Sequence, residues 1–304
     1  MRQALLAIVA IAAAGAATLG VPSPAAQAAT PTAARAATPA AELRAAAGPR
    51  RNDSATEAVY FIHGFDSSRR GGGYNCGSYW KGALNGFRKG GWKGKLVTFG
   101  YYRTDRGCTV EHPGTRSTPI RTVGQKLAWD IYNRYSRHGK SVDVVAHSMG
   151  GLVIRSALTQ VQKRAKGWPP YLYVEDVTTI STPHTGTNWA RRCTPVQCRD
   201  MRPRSGFLKG LYQSPQSRQG TDWTLIGASD DDVVTTGSAL GMKAGHKVIY
   251  AGKQGLEHGT LHNRATGSFK MRYWNYYAKK WSGWVRGAAP VVVAKNASYF
   301  WWKW

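Results

Sequence analysis

Of the chain's 304 residues 42% are hydrophobic, enough for a sizeable core, and no apolar run beyond the N-terminus approaches membrane-spanning length. Lys and Arg number 42 against 16 Asp and Glu, a net charge of +26 that attracts polyanions (nucleic acid, acidic phospholipid headgroups, anionic wall polymers) or only aids solubility. No nucleic-acid-binding motif accompanies the charge, so no specific nucleic acid is expected as a partner.

In chain order, Met1-Arg2 opens an apolar run from Leu5 to Leu19, followed by a Pro break and the small-residue site Ala26-Gln27-Ala28. This predicts a signal peptide over 1–28 and a secreted, extracellular protein. Residues 29–55 are Ala-, Thr- and Pro-rich without periodicity and predict a disordered linker. One folded domain is expected over 56–286, with a basic-aromatic tail at 287–304.

Glu57 to Phe65 (E-A-V-Y-F-I-H-G-F) reads as an apolar strand ending in His63-Gly64. Ser78 to Lys89 reads as a helix, Leu96 to Tyr101 as a strand and Arg103 to Ser117 as a loop. Thr118 to Tyr135 has helical periodicity at Ile120, Val123, Leu127 and Ile131, with Thr118 as cap and Pro119 in the first turn. Val142 to Val145 is a β-branched strand that breaks at Ala146-His147-Ser148-Met149-Gly150-Gly151 and resumes with helical spacing at Ile154, Leu158 and Val161. A strand, a tight turn of small residues and a helix expose the Ser148 hydroxyl on the turn, and positions two before and two after it are small, Ala146 and Gly150. If the strand ending at Gly64 lies beside this one, the Phe65 and Met149 N–H groups form an oxyanion hole.

Tyr171 to Ser181 is the next strand, closed by Thr182-Pro183-His184-Thr185-Gly186. Residues 188–221 lack a period, carry seven Lys or Arg against the single acid Asp200, and suit a cap over a pocket, docking on an anionic surface, or a solvated insertion. Cys193 and Cys198 enclose four residues and suit a local clip, which leaves Cys76 to pair with Cys108; their spacing does not suit a metal, and none is expected. Trp223 to Ser229 is a strand that ends at Asp230-Asp231-Asp232. Lys247 to Ala251 is the last strand, followed by the loop holding His258 and His262. Trp274, Tyr277, Trp281 and Trp284 are spaced 3, 4 and 3 and predict a closing helix. The tail 291–304 mixes aromatics with lysine and suits an interfacial anchor.

Strands alternating with helices imply an α/β fold with a mostly parallel central sheet covered by helices on both faces, and a site at the carboxyl ends of its strands. In chain order Ser148, an acid from 230–232 and His258 supply a nucleophile, an orienting carboxylate and a base, each at a strand end. His262 is the fallback base; His63 and His147 shape turns, and His184 braces its loop.

V-Y-F-I-H-G-F, V-V-A-H-S-M-G-G, S-T-P-H-T-G, the Asp-x-x-Val segment and H-G-T-L together resemble a small secreted bacterial lipase of the α/β-hydrolase superfamily, of the Ala-x-Ser-x-Gly type, over residues 57–265. The resemblance implies Ser148 as nucleophile, His258 as base, and Asp231 as the triad acid by the match of Asp-x-x-Val onto Asp231 to Val234, with Asp230 as the alternative. It also implies Phe65 and Met149 as oxyanion donors. The expectation is a cofactor-free, monomeric serine hydrolase of carboxylic esters, most simply of acyl lipids, working at an anionic membrane or cell-wall surface. Phospholipase and acyltransferase chemistry share the same machinery, and a non-catalytic polyanion binder on the same scaffold is the reading outside the enzyme class. The basic 188–221 insertion and the aromatic C-terminus depart from the minimal lipases.

Overall fold

A computed structural model describes Arg51, residues 54–68 and residues 72–299. The signal peptide, most of the linker and the last five residues of the tail lie outside the described residues. The strands are β1 (Ala58–Ile62), β2 (Leu96–Gly100), β3 (Val110–Glu111), β4 (Val142–His147), β5 (Val174–Ile180), β6 (Asp222–Ala228), β7 (His246–Tyr250), β8 (Ser268–Asn275), β9 (Lys280–Trp281) and β10 (Val285–Ala288). The helices are α1 (Cys76–Tyr79), α2 (Lys81–Lys89), α3 (Ile120–Arg134), α4 (Met149–Gln162), α5 (Val196–Met201), α6 (Gly206–Lys209), α7 (Thr236–Ala239) and α8 (Pro290–Ala297).

Among the described residues the strands form one sheet in the order β10-β8-β7-β6-β5-β4-β1-β2-β3, with β9 paired to β8. From β3 across to β7 every pairing is parallel, and β8 and β10 add an antiparallel edge. Central parallel strands are covered on both faces, which is why β1 and β4 are buried at every position. Alternation then sorts their side chains. Tyr60, Ile62, Val142 and Val144 face the layer of α3 and α4 with Leu127 and Leu152. Val59, Phe61 and Val145 face Trp80, Phe87 of α2, and Val291 and Ala294 of α8. Each fully buried side chain of this size contributes about 1.5–3 kcal/mol. This architecture is the α/β-hydrolase fold.

The two disulfides pair Cys76 with Cys108 and Cys193 with Cys198. Several sequence expectations need correction. The helix expected over 78–89 is broken at Trp80 into α1 and α2, and the 103–117 loop contains the edge strand β3. Thr118 does not cap α3: its hydroxyl accepts from the Thr115 N–H, and the Ile120 N–H donates instead to the Asp200 carboxylate at 3.0 Å. An acid at a helix N-terminus complements the exposed N–H groups and the dipole, so the one acid of the 188–221 segment pins that segment to the core.

The linker's last residues are not free of the domain, because Arg51 pairs with Asp176 at 2.7 Å and the Ala55 carbonyl accepts from the Lys93 and Gly94 N–H groups. The closing helix expected from Trp274 to Trp284 is instead the β8–β9–β10 ladder, with Trp274 opposite Trp281. Nor is 287 a domain boundary: β10 runs through it, and α8 buries Val291, Val293, Ala294 and Ala297 in the domain core. An anchor role for residues 291–297 is therefore incompatible with where they pack.

Candidate active site

The turn from β4 into α4 carries Ser148 with φ 53° and ψ −128°, a backbone conformation that a side-chain-bearing residue adopts only under restraint. The restraint is visible. The Ser148 N–H donates to the Ile180 carbonyl of β5 at 2.9 Å, and its carbonyl accepts from the Gly151 N–H. Gly150 lies so close to β1 that a Cβ there would stand 2.3 Å from the Ile62 oxygen. That contact is the reason for the small residue two places after the serine.

His258 arrives on the loop after β7. Asp230 shapes that loop by accepting the Lys253 and Gln254 N–H groups at 2.6 and 2.8 Å. Its neighbour Asp231, at the end of β6, turns the other way. It accepts the Val233 and Val234 N–H groups and faces His258 Nδ1 at 2.9 and 3.0 Å. A carboxylate facing Nδ1 calls for the proton there, which leaves Nε2 to accept from Ser148 Oγ at 3.0 Å. Burial alone would push the Asp231 carboxyl up. The hydrogen bond and charge of His258, with the Val234 N–H, outweigh burial and hold it below the usual carboxylate range.

Phe65 follows Gly64 at the end of β1 and Met149 is the first residue of α4, and neither N–H has an acceptor among the described residues. The backbone around Phe65 is fixed on three sides. The Gly64 N–H donates to Tyr79 Oη at 3.1 Å, Tyr74 Oη donates to the Phe65 carbonyl at 2.7 Å, and the Asp66 N–H donates to Tyr102 Oη at 3.3 Å. At Gly64 itself a Cβ would meet the Ser148 Cβ at 2.9 Å, so a side chain there would push against the nucleophile.

The geometry also separates the remaining histidines. His262 Nε2 donates to the Tyr79 carbonyl at 3.0 Å and its ring stacks on His147; burial lowers its pKa to about 4. It does not reach Ser148 as a base. His184 sits between Thr179 Oγ1 and a buried environment, and its carbonyl accepts from Arg155, so it braces its loop. His63 lies between the Gly64 carbonyl and the Asp105 carboxylate under the same strand end.

His147 does more than shape a turn. Burial, and then the neighbouring His262 and His258, hold its pKa well below the ordinary value, so the neutral ring accepts from Tyr79 Oη at Nδ1 and donates from Nε2 to the His258 carbonyl at 2.9 Å. Tyr79 thus links the Gly64 end of β1 to the His258 loop through His147. Sequence reasoning missed it, because Tyr79 sits in no motif and its neighbours in the chain carry no chemistry.

Ser148 and His258 open on a cavity of 110 Å³ walled by Phe65, Pro183, Trp189, Met201, Val233 and Val234. Trp189 and Met201 come from the basic 188–221 segment. Larger clefts of 680 and 690 Å³ lie elsewhere and contain none of Ser148, Asp231 or His258. Among the described residues no group of three His, Cys, Asp or Glu is placed to hold a metal ion, and no helix is long and apolar enough to cross a membrane.

Among solved structures the chain is similar to the phospholipase PlaB from Legionella pneumophila, at 12% identity and TM-score 0.44, covering 60% of this chain and 45% of that one. It is similar to the lipase BlEst2 of Bacillus licheniformis in its propeptide form, at 18% identity and TM-score 0.45, covering 71% and 49%. A lipase-esterase related protein from Clostridium acetobutylicum matches at 10% identity and TM-score 0.43, covering 70% and 91%. The chain spans about half the length of the first two. No curated protein matches the sequence. A family model described as a domain of unknown function, DUF7379, matches residues 23–197, and the chain belongs to that family.

Proposed function

We propose that the chain is a secreted serine hydrolase of carboxylic esters, short-chain acyl lipids among them, acting through Ser148, His258 and Asp231. The observation that carries this reading is the relay from the Asp231 carboxylate through His258 to Ser148 Oγ, with contacts of 2.9–3.0 Å. Ser148 Oγ attacks the ester carbonyl carbon while His258 Nε2 takes the hydroxyl proton, and Asp231 stabilises the imidazolium. The Phe65 and Met149 N–H groups receive the charge that develops on the carbonyl oxygen. The C–O bond to the alcohol then breaks, and His258 returns its proton to the leaving oxygen. Water, deprotonated by His258, attacks the acyl-Ser148 ester and releases the acid.

Secretion is supported by the signal-like N-terminus and two disulfides. Work at an anionic surface is supported by the +26 charge. The test is hydrolysis of p-nitrophenyl butyrate together with labelling by a serine-directed phosphonate. Ser148→Ala is expected to lower kcat/KM by about 10³-fold or more and to abolish the label. Retained turnover in the variant overturns the reading. An inert, unlabelled wild-type protein that still binds anionic vesicles would point to the polyanion-binding scaffold instead.

A further inference from the structure

We infer that the acyl part of the substrate is short, about two to six carbons, and that Trp189 and Met201 set this limit. This rests on the ester-hydrolase reading above. After the alcohol departs, the acyl chain stays bonded to Ser148 and must occupy apolar space continuous with it. The cavity at Ser148 is 110 Å³, below the several hundred Å³ usual for a drug-sized ligand. With so little room beside Ser148, a short acyl chain is taken up whole and a long one is not.

The far wall is braced against giving way. Trp189 packs edge-on against Phe65 with ring centroids 5.8 Å apart, and its backbone N–H donates to Thr187 Oγ1 at 3.1 Å. The Thr187 hydroxyl in turn donates to the Val233 carbonyl, and the Thr187 N–H donates to the Met201 carbonyl at 2.9 Å. Between the two wall residues the Cys193–Cys198 disulfide clips the chain, and the Arg202 guanidinium bonds the Ala190 and Cys193 carbonyls at 3.2 and 3.0 Å. Met201 is 2% exposed. The wall is thus tied to the Phe65 strand end, to the Asp231 turn and to itself.

Thr187, Trp189 and Val233 also line a second pocket of 380 Å³ that Arg192 and Asp232 make polar. They are the partition between the two spaces. Removing the indole of Trp189 would open the small cavity into the larger one, whereas truncating Met201 enlarges it only locally.

The experiment measures kcat/KM for p-nitrophenyl acetate, butyrate, hexanoate, octanoate and palmitate with wild type, Trp189→Ala and Met201→Ala, alongside phosphonate labelling of Ser148. Wild type should peak at acetate or butyrate and lose at least about tenfold from butyrate to octanoate. Trp189→Ala should raise the octanoate-to-butyrate ratio about tenfold or more, and Met201→Ala by a smaller factor. The ratio is insensitive to a general loss of folded or active enzyme, and the wild-type profile alone decides even if a variant fails to fold. A wild-type enzyme that is labelled at Ser148 and turns over octanoate as well as butyrate overturns the inference while leaving the hydrolase reading intact. A ratio unmoved in both variants also overturns it. No hydrolysis and no label removes the hydrolase reading and this inference with it.

Discussion

Asp230 and Asp231 are adjacent and chemically identical, yet the end of β6 points one at the loop backbone and the other at His258. The Asp230 carboxylate is held below its usual range chiefly by the Gln254 N–H, a structural bond that shapes the approach to His258. Asp231 alone fixes the His258 tautomer. Asp231→Asn is therefore expected to lower kcat by about 10⁴-fold, as loss of the orienting carboxylate does in serine proteases. Asp230→Ala should lower kcat by less than about tenfold while reducing thermal stability. Steady-state kinetics and a melting curve on both variants check this, and the opposite ranking would reassign the acid. At this scale the sequence was informative wherever the chemistry is local. Ala146, Ser148 and Gly150 lie within five residues, so the elbow is readable from size alone. Asp-x-x-Val fits both Asp230-to-Val233 and Asp231-to-Val234, so the pattern leaves the acid open, and it is the Val233 and Val234 N–H groups that hold Asp231 in the folded turn. Tyr79 was not readable, since its partners are His147 and Gly64 and only the packing of α1 against the strand ends brings them together.

Among the elements, the central strands were legible because burial on both faces leaves a continuous apolar record, and the helix over Ile120–Arg134 because its buried side repeats at Ile120, Val123, Leu127 and Ile131. The C-terminal segment was not, because two periodicities coexist in it. Trp274, Tyr277, Trp281 and Trp284 fit helical spacing, but Trp274 and Trp281 meet across a turn, where a separation of seven is also what a short hairpin gives. The competing period of two is present in β8. Met271 and Phe269 face the sheet, while Lys270 and Arg272 alternate with them and lie over the rings of Trp284 and Trp281. Pairing with β7 decides in favour of the strand.

The same folding-back delivers α8 to the outer face, where Val291 packs by Gly86 of α2. Val291, Val293 and Ala294 together stabilise the domain by roughly 5 kcal/mol, which is comparable with the whole margin of many domains. Removing residues 290–304 should therefore leave little soluble, folded protein. Soluble yield and melting temperature report the result. A truncated chain melting within about 3 °C of the full one would make α8 an appendage.

On the scale of the whole molecule the 42 Lys and Arg far outnumber the 16 acids, and five of those acids, Asp66, Asp105, Asp143, Glu175 and Asp176, are buried. The buried groups also set how stability varies with pH, and they oppose one another. Burial raises the Asp143 and Asp176 carboxyls, so the folded state holds protons that the unfolded chain releases, and their contribution is lost as pH rises above the ordinary carboxylate range. The histidines behind the active site act in the other direction. Burial lowers His262 to about 4 from an ordinary value of 6.5, so between those limits the unfolded chain binds the proton more tightly. Its contribution is fully present above pH 6.5 and falls as pH drops toward 4, by about 3 kcal/mol in total. His147, lowered well below 6.5 by burial, adds to the same loss.

His262→Gln retains a donor for the Tyr79 carbonyl but cannot titrate, so it isolates the term. In urea unfolding at successive pH values, wild type should lose up to about 3 kcal/mol more than His262→Gln between pH 6.5 and 4. Parallel curves would show that His262 takes up its proton in the folded state. A charge taken up there would weaken the Tyr79–His147–His258 brace, because it would press against the stacked His147 ring, which accepts from Tyr79 only while its Nδ1 is unprotonated.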